Sequence, residues 1–291
     1  MKALQGKVAV VAGGTRGAGR GIAIGLGEAG ATVYVTGRSV RGQQSDLARP
    51  ETIEETAELV TASGGVGIAV RVDHSQEDEV KALFERVKAE QNGQLDILVN
   101  DIWGGEKLTA WGKTFWEHSL ADGLLMQQRA VHTHMITSYY AAPLMVEQKK
   151  GLIIEITDGI DYRYRENLYY SLAKISVIHL AQAMAEDLRP HGVTALALTP
   201  GFLRSEEMLD YFGVTEETWR EAVRKEPHFI MSETPTYIGR AVAALAADPA
   251  VAEKAGQALS TWGLSDEYPF VDRDGSRPHW GNYAKEQGLY R

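Results

Sequence analysis

Short apolar runs alternate with longer stretches of mixed polar and apolar residues along most of the chain. The runs occupy residues 7–12, 32–36, 66–73, 95–100 and 193–199. Such runs predict buried strands, and the stretches between them repeat with helical periodicity. Strands that alternate with helices at this rhythm predict right-handed βαβ units and a doubly wound parallel sheet. In such a sheet, ligands bind at the carboxyl ends of the strands.

A long helix is predicted over residues 118–147. His132 and His134 are two residues apart on it and therefore point to different sides, which argues against a shared metal site. Beyond the strand at 193–199, residues 202–235 contain two short helical pieces. A helical insertion past the carboxyl end of a strand is well placed to act as a substrate lid.

The last part of the chain, residues 263–291, reads as an irregular, aromatic C-terminal extension that follows one last strand. No internal repeat and no linker divides the sequence. We therefore expect a single domain over residues 1–291.

Composition narrows the possible functions. Of 291 residues, 44% are hydrophobic, and the net charge of −9 disfavours binding to a phosphate backbone, so nucleic acid is not an expected partner. There are no cysteines, which excludes disulfides, thiolate nucleophiles and cysteine-ligated metals, and we expect no metal. The N-terminus passes directly into a strand, and no apolar run has the length of a membrane span. We expect a cytoplasmic protein that makes no contact with a membrane.

A glycine-rich turn, GGTRGAGRG, follows the first strand and leads into a helix. Gly13, Gly17 and Gly19 permit a tight turn and the close approach of backbone amides to a pyrophosphate at the helix N-terminus. The turn therefore predicts nucleotide binding. After the second strand comes Arg38 rather than a carboxylate, and Arg16 lies within the glycine turn. Two cations at this place favour the 2′-phosphate of NADP(H) over the ribose hydroxyl of NAD(H).

Two further segments each have two interpretations. Asp73 follows the third strand and suits the edge of an adenine pocket, or it is the acidic residue at the start of the next helix. Trp103, Trp111 and Trp116 lie in an irregular segment. They line a substrate cleft or pack as core beneath a long loop, and we expect the second.

Tyr170 and Lys174 are four residues apart beyond another buried strand, so they share one face of a helix. A lysine ammonium there lowers the pKa of a phenol and makes it usable as a general acid or base. This is the arrangement of a hydride-transfer site.

These motifs together resemble the short-chain dehydrogenase/reductase family over nearly the whole chain. The matching residues are AGGTRGAGRG, Asn100 after the fourth strand, Tyr170-Ser-Leu-Ala-Lys174 and PGFLRS. The stretch GIAIGLGEAGATVYVTGRS and the tail from ALAADPAVAEKAG onward are most similar to the branch of dehydrogenase/reductase member one. The resemblance implies a Rossmann-like seven-stranded sheet, NAD(P)(H) as cofactor, a small-molecule substrate, and homodimers or homotetramers built on the two long helices.

The resemblance also assigns roles to residues. Tyr170 exchanges the proton, and Lys174 binds the nicotinamide ribose. The cofactor residues expected from the motifs and the resemblance are Gly13, Thr15, Arg16, Gly17, Ala18, Gly19, Arg38, Asp73, Asn100, Tyr170, Lys174, Pro200, Gly201 and Leu203. Aromatic residues in 103–116, 162–169 and 202–229 suggest an apolar or cyclic substrate.

The chain departs from the family pattern at three places. Asp101 and the following residues replace the usual Asn-Ala-Gly, and Ala130 stands where the family places an asparagine of its proton relay. The catalytic serine of the family falls on Asp158 or on Thr157, depending on where the alignment is anchored. A hydroxyl donates a hydrogen bond, whereas an ionised carboxylate only accepts.

Four interpretations of that third departure stay open. Thr157 supplies the hydroxyl, a protonated Asp158 donates, Asp158 attracts a cationic substrate such as an iminium or amine, or the site does not catalyse. We expect Asp158 to line the substrate site. The function we predict is an NADP(H)-dependent oxidoreductase acting on a carbonyl, alcohol or imine. The alternatives are a non-catalytic NADP(H)-binding protein and, more remotely, a lyase or epimerase.

Overall fold

A twisted sheet of parallel strands organises the computed structural model, which describes residues 2–43 and 47–289. Seven strands pair in the order β3-β2-β1-β4-β5-β6-β7. They are β1 (Val8–Ala12), β2 (Thr32–Gly37), β3 (Val66–Arg71), β4 (Ile97–Asn100), β5 (Gly151–Ile156), β6 (Val193–Thr199) and β7 (Ala258–Ser260). The Rossmann-like fold predicted from the sequence is confirmed.

Helices cover both faces of the sheet. The α-helices are α1 (Gly17–Glu28), α2 (Ile53–Ala62), α3 (Glu77–Glu90), α4 (Leu120–Gln127), α5 (Thr133–Glu147), α6 (Leu168–Leu188), α7 (Glu206–Phe212), α8 (Pro235–Ala247), α9 (Thr261–Glu267) and α10 (Trp280–Glu286). In the part of the chain that the structure describes, no helix is long and apolar enough to cross a membrane.

Strand β1 divides the core into two layers. Ala9 and Val11 pack with α1, α2 and α8, whereas Val8 and Val10 pack with α3 and α5 on the other face. Successive side chains of a strand point to opposite faces. A strand covered on both sides is therefore apolar throughout, which is why β1 reads as a continuous apolar run.

Helices α1 and α8 pack almost backbone to backbone. A Cβ atom added at Gly25 would lie 2.5 Å from the carbonyl carbon of Gly239. Only glycine permits this approach. The contact fixes α1, and with it the glycine turn at its N-terminus, against the sheet.

Three predicted segments differ from the structure. The helix expected over 118–147 is interrupted by a π-helical turn, Gln128–His132, between α4 and α5. In the expected lid, the second helical piece is a short 3-10 helix, Trp219–Arg224. The expectation of an irregular tail over 263–291 was wrong in part, because the tail contains most of α9 and all of α10. Short helices of this kind are set by tertiary packing rather than by sequence periodicity.

Strand order reverses between β1 and β4, which are neighbours in the sheet although β2 and β3 lie between them in sequence. At such a point the two following loops separate and leave a crevice outside the carboxyl ends of the strands. The residues after β1, β4, β5 and β6 therefore converge there.

Candidate active site

Two connected cavities lie at the carboxyl ends of the strands. The glycine-loop cavity has a volume of about 440 Å³ and is bordered by the turns after β1, β2 and β4. The tyrosine cleft, of about 1190 Å³, is bordered by the segments after β5 and β6. Both are lined by Ala18, Asp101, Trp103, Lys174, Leu203 and Ser205. A ligand lying in the first cavity can thus present one end to the second.

The glycine turn is shaped to hold an anion. Gly13 has a φ of +88°, and a Cβ atom there would overlap the main-chain carbonyl oxygen of Asp101. At the start of α1, the N–H of Gly17 donates to the Glu206 carboxylate over 2.8 Å. An anion thus already lies at this helix N-terminus, where free amides and the helix dipole favour negative charge. The cradle fits the pyrophosphate of a dinucleotide.

The expected cofactor residues are distributed as follows. Gly13, Thr15, Arg16, Gly17, Ala18, Arg38, Asp73, Lys174 and Leu203 line the glycine-loop cavity, and Tyr170, Pro200 and Gly201 line the tyrosine cleft. Gly19 lines neither, but a Cβ atom there would lie 2.9 Å from Oδ2 of Asp101, so it keeps the turn close to β4. Most of the expected residues are therefore brought together.

Asn100 differs from the other expected cofactor residues in its position. It is fully buried and lines neither cavity; its amide donates to Ser138 over 2.9 Å and to Glu155 over 2.7 Å. Glu155 also lies 2.5 Å from Nδ1 of His134, whose other ring nitrogen lies 2.9 Å from the carbonyl oxygen of Ile102. This buried network joins the end of β4 to the end of β5. Asn100 therefore supports the ends of these strands from the interior and does not face a ligand.

Positive charge collects where the second strand ends. Arg16 lies 3.4 Å from the hydroxyl of Ser39 and 3.4 Å from Glu51. Glu51 is buried and is also held by Arg49 over 2.8 Å. Arg38 lines the same cavity. Burial opposes the shift, but hydrogen bonds from Ser75 and the charge of Arg38 lower the pKa of Asp73. Asp73 accepts from the amide and hydroxyl of Ser75, so it serves the turn before α3 while also facing the cavity.

Lys174 lines both cavities, and Tyr170 lines the tyrosine cleft. The Tyr170 hydroxyl donates to Oδ2 of Asp158 over 2.9 Å. The Lys174 ammonium is 4.2 Å from the centre of the Trp103 ring and 5.7 Å from that of Tyr170. Trp103 and Trp111 pack edge-on against Tyr170, with ring centres 5.5 and 5.2 Å away. The phenol is thus held between two indoles and, among the described residues, its hydroxyl has one hydrogen-bond partner, Asp158.

Burial alters the proton affinity of each of these groups. Burial first, and then the charge and hydrogen bond of Asp158, raise the pKa of Tyr170 well above the ordinary value of a phenol. Burial also lowers the pKa of Lys174, against the opposing charges of Asp158, Asp101 and Glu106. The pKa of Asp101 is raised to about 7 by burial, although Lys174 works against this. Because its pKa is raised, Tyr170 keeps its proton at neutral pH.

The structure distinguishes the two candidates for the serine position. The hydroxyl of Thr157 donates to the main-chain carbonyl of Lys174 over 2.7 Å, and Thr157 is buried. Asp158 instead contacts Tyr170 and is half exposed in the tyrosine cleft. Asp158 thus occupies the place beside the phenol, while Thr157 fixes the backbone of α6.

The tryptophan prediction was wrong for two of the three residues. Trp111 and Trp116 are 55% and 71% exposed, so they do not form core beneath a loop. Trp103 and Trp111 line the tyrosine cleft instead. Residues 101–117 contain only two short 3-10 helices, so no regular element buries these rings.

The position expected for the relay asparagine lies within the π-helical turn. Ala130 is buried there, while its neighbours Gln128 and Arg129 line the glycine-loop cavity. Single π-helical turns inside longer helices occur frequently at functional sites. No amide side chain at position 130 is available for a relay.

Sequence reasoning did not assign a role to Asp101, Glu106 or Glu206. Asp101 and Glu106 are partly buried carboxyl groups whose charges act on Lys174, and Oε2 of Glu106 has no hydrogen-bond partner among the described residues. Asp101 could have been noticed in the sequence, because it replaces the asparagine that the family usually has after Asn100. Glu206 lies 189 residues from Gly17, and no local pattern predicts that contact.

A parallel sheet with a glycine turn after β1 is typical of the dinucleotide-binding class of α/β proteins. Known proteins similar to this chain belong to that class. A family model described as short chain dehydrogenase matches residues 7–213. Dehydrogenase/reductase SDR family member 1 of Mus musculus is 37% identical over 276 residues, covering 94% of this chain and 85% of that protein.

Solved structures agree on the fold. A short chain dehydrogenase of Mycobacterium thermoresistibile superposes with a TM-score of 0.78 at 23% identity, covering 96% of this chain and 92% of the other. A 7α-hydroxysteroid dehydrogenase complexed with NADH and 7-oxo glycochenodeoxycholic acid gives 0.71 at 25% identity, covering 95% and 96%. The chain belongs to the short-chain dehydrogenase/reductase family. These oxidoreductases use a nicotinamide cofactor and act on small molecules.

Proposed function

We propose that this protein is an NADP(H)-dependent oxidoreductase that transfers hydride between the nicotinamide and a carbonyl or alcohol, or an imine or amine, with Tyr170 as general acid or base. The observation that carries the proposal is that Lys174 lines both cavities, while Tyr170, four residues before it on the same helix, lines the tyrosine cleft. A cofactor in the first cavity and a substrate in the second would meet there. When bound, the cofactor supplies or accepts the hydride.

The residues of the chain have distinct tasks in this proposal. The amides of the glycine turn hold the pyrophosphate, and Arg16 and Arg38 pair with the 2′-phosphate. Lys174 holds the nicotinamide ribose, and the loop containing Gly201 borders the nicotinamide. That loop is fixed by Glu233, which accepts from the Gly201 amide over 2.9 Å and from the Thr261 hydroxyl over 2.7 Å.

The raised pKa of Tyr170 favours one direction of reaction. Reduction of a double bond requires a group that donates a proton, and a phenol that stays protonated at neutral pH is ready for this. Oxidation of an alcohol requires the phenolate, which burial and Asp158 both disfavour. We therefore infer that, at neutral pH, the free enzyme is already in the protonation state that reduction requires.

The mutation Tyr170→Phe tests the catalytic role. It removes only the hydroxyl, so we expect turnover to fall by about a hundredfold or more, the usual contribution of a positioned general acid. Reaction is followed by NADPH absorbance on a substrate found by screening carbonyls and imines. Tyr169→Phe is the matched control, because Tyr169 is adjacent in sequence but packs against His118. Equal turnover of Tyr170→Phe and the unaltered protein would refute the assignment.

The mutation Arg38→Ala tests the cofactor preference. We expect NADPH to bind at least about tenfold more tightly than NADH, because a guanidinium pairs with the extra phosphate, and we expect Arg38→Ala to remove that difference. Both cofactors are titrated by fluorescence. Arg41→Ala is the control, since Arg41 is paired with Glu58 over 2.6 Å outside the cavity. If NADH binds as tightly as NADPH, the NADP(H) assignment fails.

The substrate is proposed to be apolar or cyclic. Trp103, Trp111, Phe202 and Trp280 line the tyrosine cleft, and such walls suit a flat or ring-shaped molecule. Leu203, Ser205 and Met208 come from residues 202–235, the proposed substrate lid.

A second candidate function rests on the bond between Tyr170 and Asp158. Because that carboxylate holds the hydroxyl and raises the pKa of the phenol, the chain could bind NADP(H) without turning it over. A broad screen in both directions separates the two functions. Any robust, Tyr170-dependent change in NADPH absorbance eliminates the non-catalytic one.

We also propose a homodimer or homotetramer. Apolar side chains are exposed on three helices that contact one another or the π-helical turn. They are Leu120 and Leu124 on α4, Met135 and Tyr139 on α5, and Leu172 on α6. Exposed apolar surface concentrated on neighbouring elements marks an association surface. The cytoplasmic location stays a prediction.

A further inference from the structure

The tyrosine cleft offers hydrogen-bond acceptors where carbonyl reduction requires donors. A carbonyl oxygen becomes negative as hydride adds, so it is stabilised by donors aimed at it. Here the Tyr170 hydrogen is directed to Asp158 over 2.9 Å, and the Thr157 hydroxyl is directed to the Lys174 carbonyl over 2.7 Å. A carbonyl oxygen beside Tyr170 would face a carboxylate that can only accept and that repels negative charge.

The positive groups of the cleft give Asp158 no second hydrogen-bond donor among the described residues. The guanidinium of Arg165 donates to the carbonyls of Arg163 and Asp161 over 2.7 and 2.9 Å, and its Nε forms an ion pair with Oδ2 of Asp158 over 3.7 Å, which is too long for a hydrogen bond. Arg163 is paired with Asp161 over 2.7 Å. The Lys174 ammonium lies over Trp103.

Asp158 therefore retains capacity to accept. Tyr170 is its one hydrogen-bond donor within residues 2–43 and 47–289, and its side chain is 50% exposed. A carboxylate has room for several donors. Its surroundings within the cleft are aromatic, since Trp103 and Trp111 flank Tyr170 on two sides. The Lys174 ammonium already lies over Trp103, so the 55% exposed Trp111 is the ring that is open to a ligand. Aromatic faces beside a carboxylate are a setting that attracts organic cations.

We propose that the substrate of this site is a cation, a protonated imine reduced to an ammonium, with Asp158 as its counter-ion. The proposal rests on the proposed function and narrows its substrate class. The N–H of the iminium donates to Asp158 and to the phenolic oxygen of Tyr170. The carbon skeleton lies along the indoles.

The reduction needs a hydride from the cofactor and a proton from Tyr170. The iminium carbon gains a C–H bond as hydride arrives from the reduced nicotinamide, which is oxidised, and the electron pair of the C=N π bond becomes a lone pair on nitrogen. That lone pair takes the proton of Tyr170, whose O–H can turn away from Asp158 because the substrate N–H replaces it as the donor to that carboxylate; the product is an ammonium. Tyr170 regains a proton from solvent through the half-exposed Asp158. Nitrogen is positive before and after reaction, so Asp158 stabilises both substrate and product.

Binding to the protein without cofactor gives the deciding test. β-Aminotetralin, an ammonium at neutral pH, is compared with β-tetralol, a neutral alcohol on the same skeleton, by calorimetry or by quenching of tryptophan fluorescence. We expect the amine to bind about tenfold more tightly, as for a charge-assisted hydrogen bond. Asp158→Asn should abolish the preference, because it retains the shape and removes the charge.

The matched control is Asp161→Asn. Asp161 lines the same cleft but pairs with Arg163, so its replacement should leave the amine preference unchanged. Equal binding of amine and alcohol to the unaltered protein overturns the proposal, and so does an amine preference that persists in Asp158→Asn. Thermal melting verifies that each variant is folded.

Turnover with NADPH separates this proposal from the proposed function. We expect protonated dihydroisoquinoline to be reduced faster than β-tetralone, and Asp158→Ser to reverse that order by replacing an acceptor with a donor. Reduction of the ketone alone, dependent on Tyr170, overturns the cationic substrate and leaves the oxidoreductase in place. A Tyr170-independent result for both probes, with the amine preference intact, refutes the acid-base role and leaves the cation site in place.

Discussion

At the residue scale, the pair of Tyr170 and Asp158 controls the protonation of the site. Burial raises the pKa of Tyr170 first, and the charge and hydrogen bond of Asp158 raise it further. Because an elevated pKa keeps the phenol neutral, the proposed general acid is present at neutral pH and is lost only as pH rises through that elevated value. Tyr170 itself should therefore add no alkaline limb near the ordinary phenol pKa to the reduction of a ketone, and a limb in that range is expected to come from Lys174, whose pKa is lowered by burial.

Asp158→Asn makes this testable. Removing the carboxylate charge should move the titration of Tyr170 to lower pH, while burial still holds it above the ordinary value. The titration is read from tyrosinate absorbance, as the difference between each protein and its Tyr170→Phe derivative. An unchanged titration in Asp158→Asn would mean that the charge of Asp158 does not act on the phenol.

At the element scale, helix α7 covers the glycine turn. Glu206 accepts from the Gly17 amide and lies 3.9 Å from Arg20, while Asp210 on the same helix pairs with Arg49 over 2.7 Å. The carboxylate of Glu206 therefore uses an amide that a cofactor phosphate would need. Binding of the cofactor requires this side chain to move away.

Glu206→Gln should strengthen NADPH binding. Removing a negative charge from an anion site lowers the cost of placing phosphate there, and we expect a decrease in Kd of about three- to tenfold, or roughly 1 kcal/mol. The measurement is a fluorescence titration. Glu207→Gln is the control, because Glu207 lines the same cavity without bonding to Gly17. Weaker binding by Glu206→Gln than by the unaltered protein would contradict this interpretation.

At the scale of the whole molecule, association is expected through helices α4 to α6. Leu120 and Leu124 are 64% and 59% exposed, and Tyr139 is 72% exposed. Side chains of this size gain roughly 1.5–3 kcal/mol each when fully buried, so a shared surface would stabilise a dimer.

Sedimentation tests this surface with Leu124→Glu. We expect the unaltered protein to sediment as a dimer or tetramer and Leu124→Glu to shift it toward the monomer, because a charge would be buried without a partner. Leu59→Glu on α2 serves as the control, as Leu59 is 36% exposed outside this surface. A monomer at all concentrations would exclude the proposed oligomer.

Much of the site was predictable because its motifs are local. The glycine turn, Arg38 and the pair Tyr170 and Lys174 each depend on residues close in sequence. Strand-helix alternation then places them at one edge of the sheet. The glycine turn that lines the glycine-loop cavity can therefore be located from the amino-acid sequence alone.

Contacts between distant segments were not predictable. Whether Thr157 or Asp158 lies beside Tyr170 depends on how the turn after β5 meets α6. The exposure of Trp111 depends on how an irregular segment lies over the cleft, and the interior position of Asn100 depends on Glu155 and His134. These are outcomes of packing and hydrogen bonding between elements, which periodicity does not encode.

The sequence by itself determined the class of fold and the location of the glycine turn, since apolar runs, glycine spacing and helix periodicity act over a few residues. Only the tertiary structure decided which groups face one another in the two cavities. It directed the Tyr170 hydroxyl to Asp158, placed Lys174 over Trp103 and brought Glu206 to Gly17. The physical reason is that charge and hydrogen-bond polarity in a site depend on distances through space, and those distances are fixed only when the elements pack.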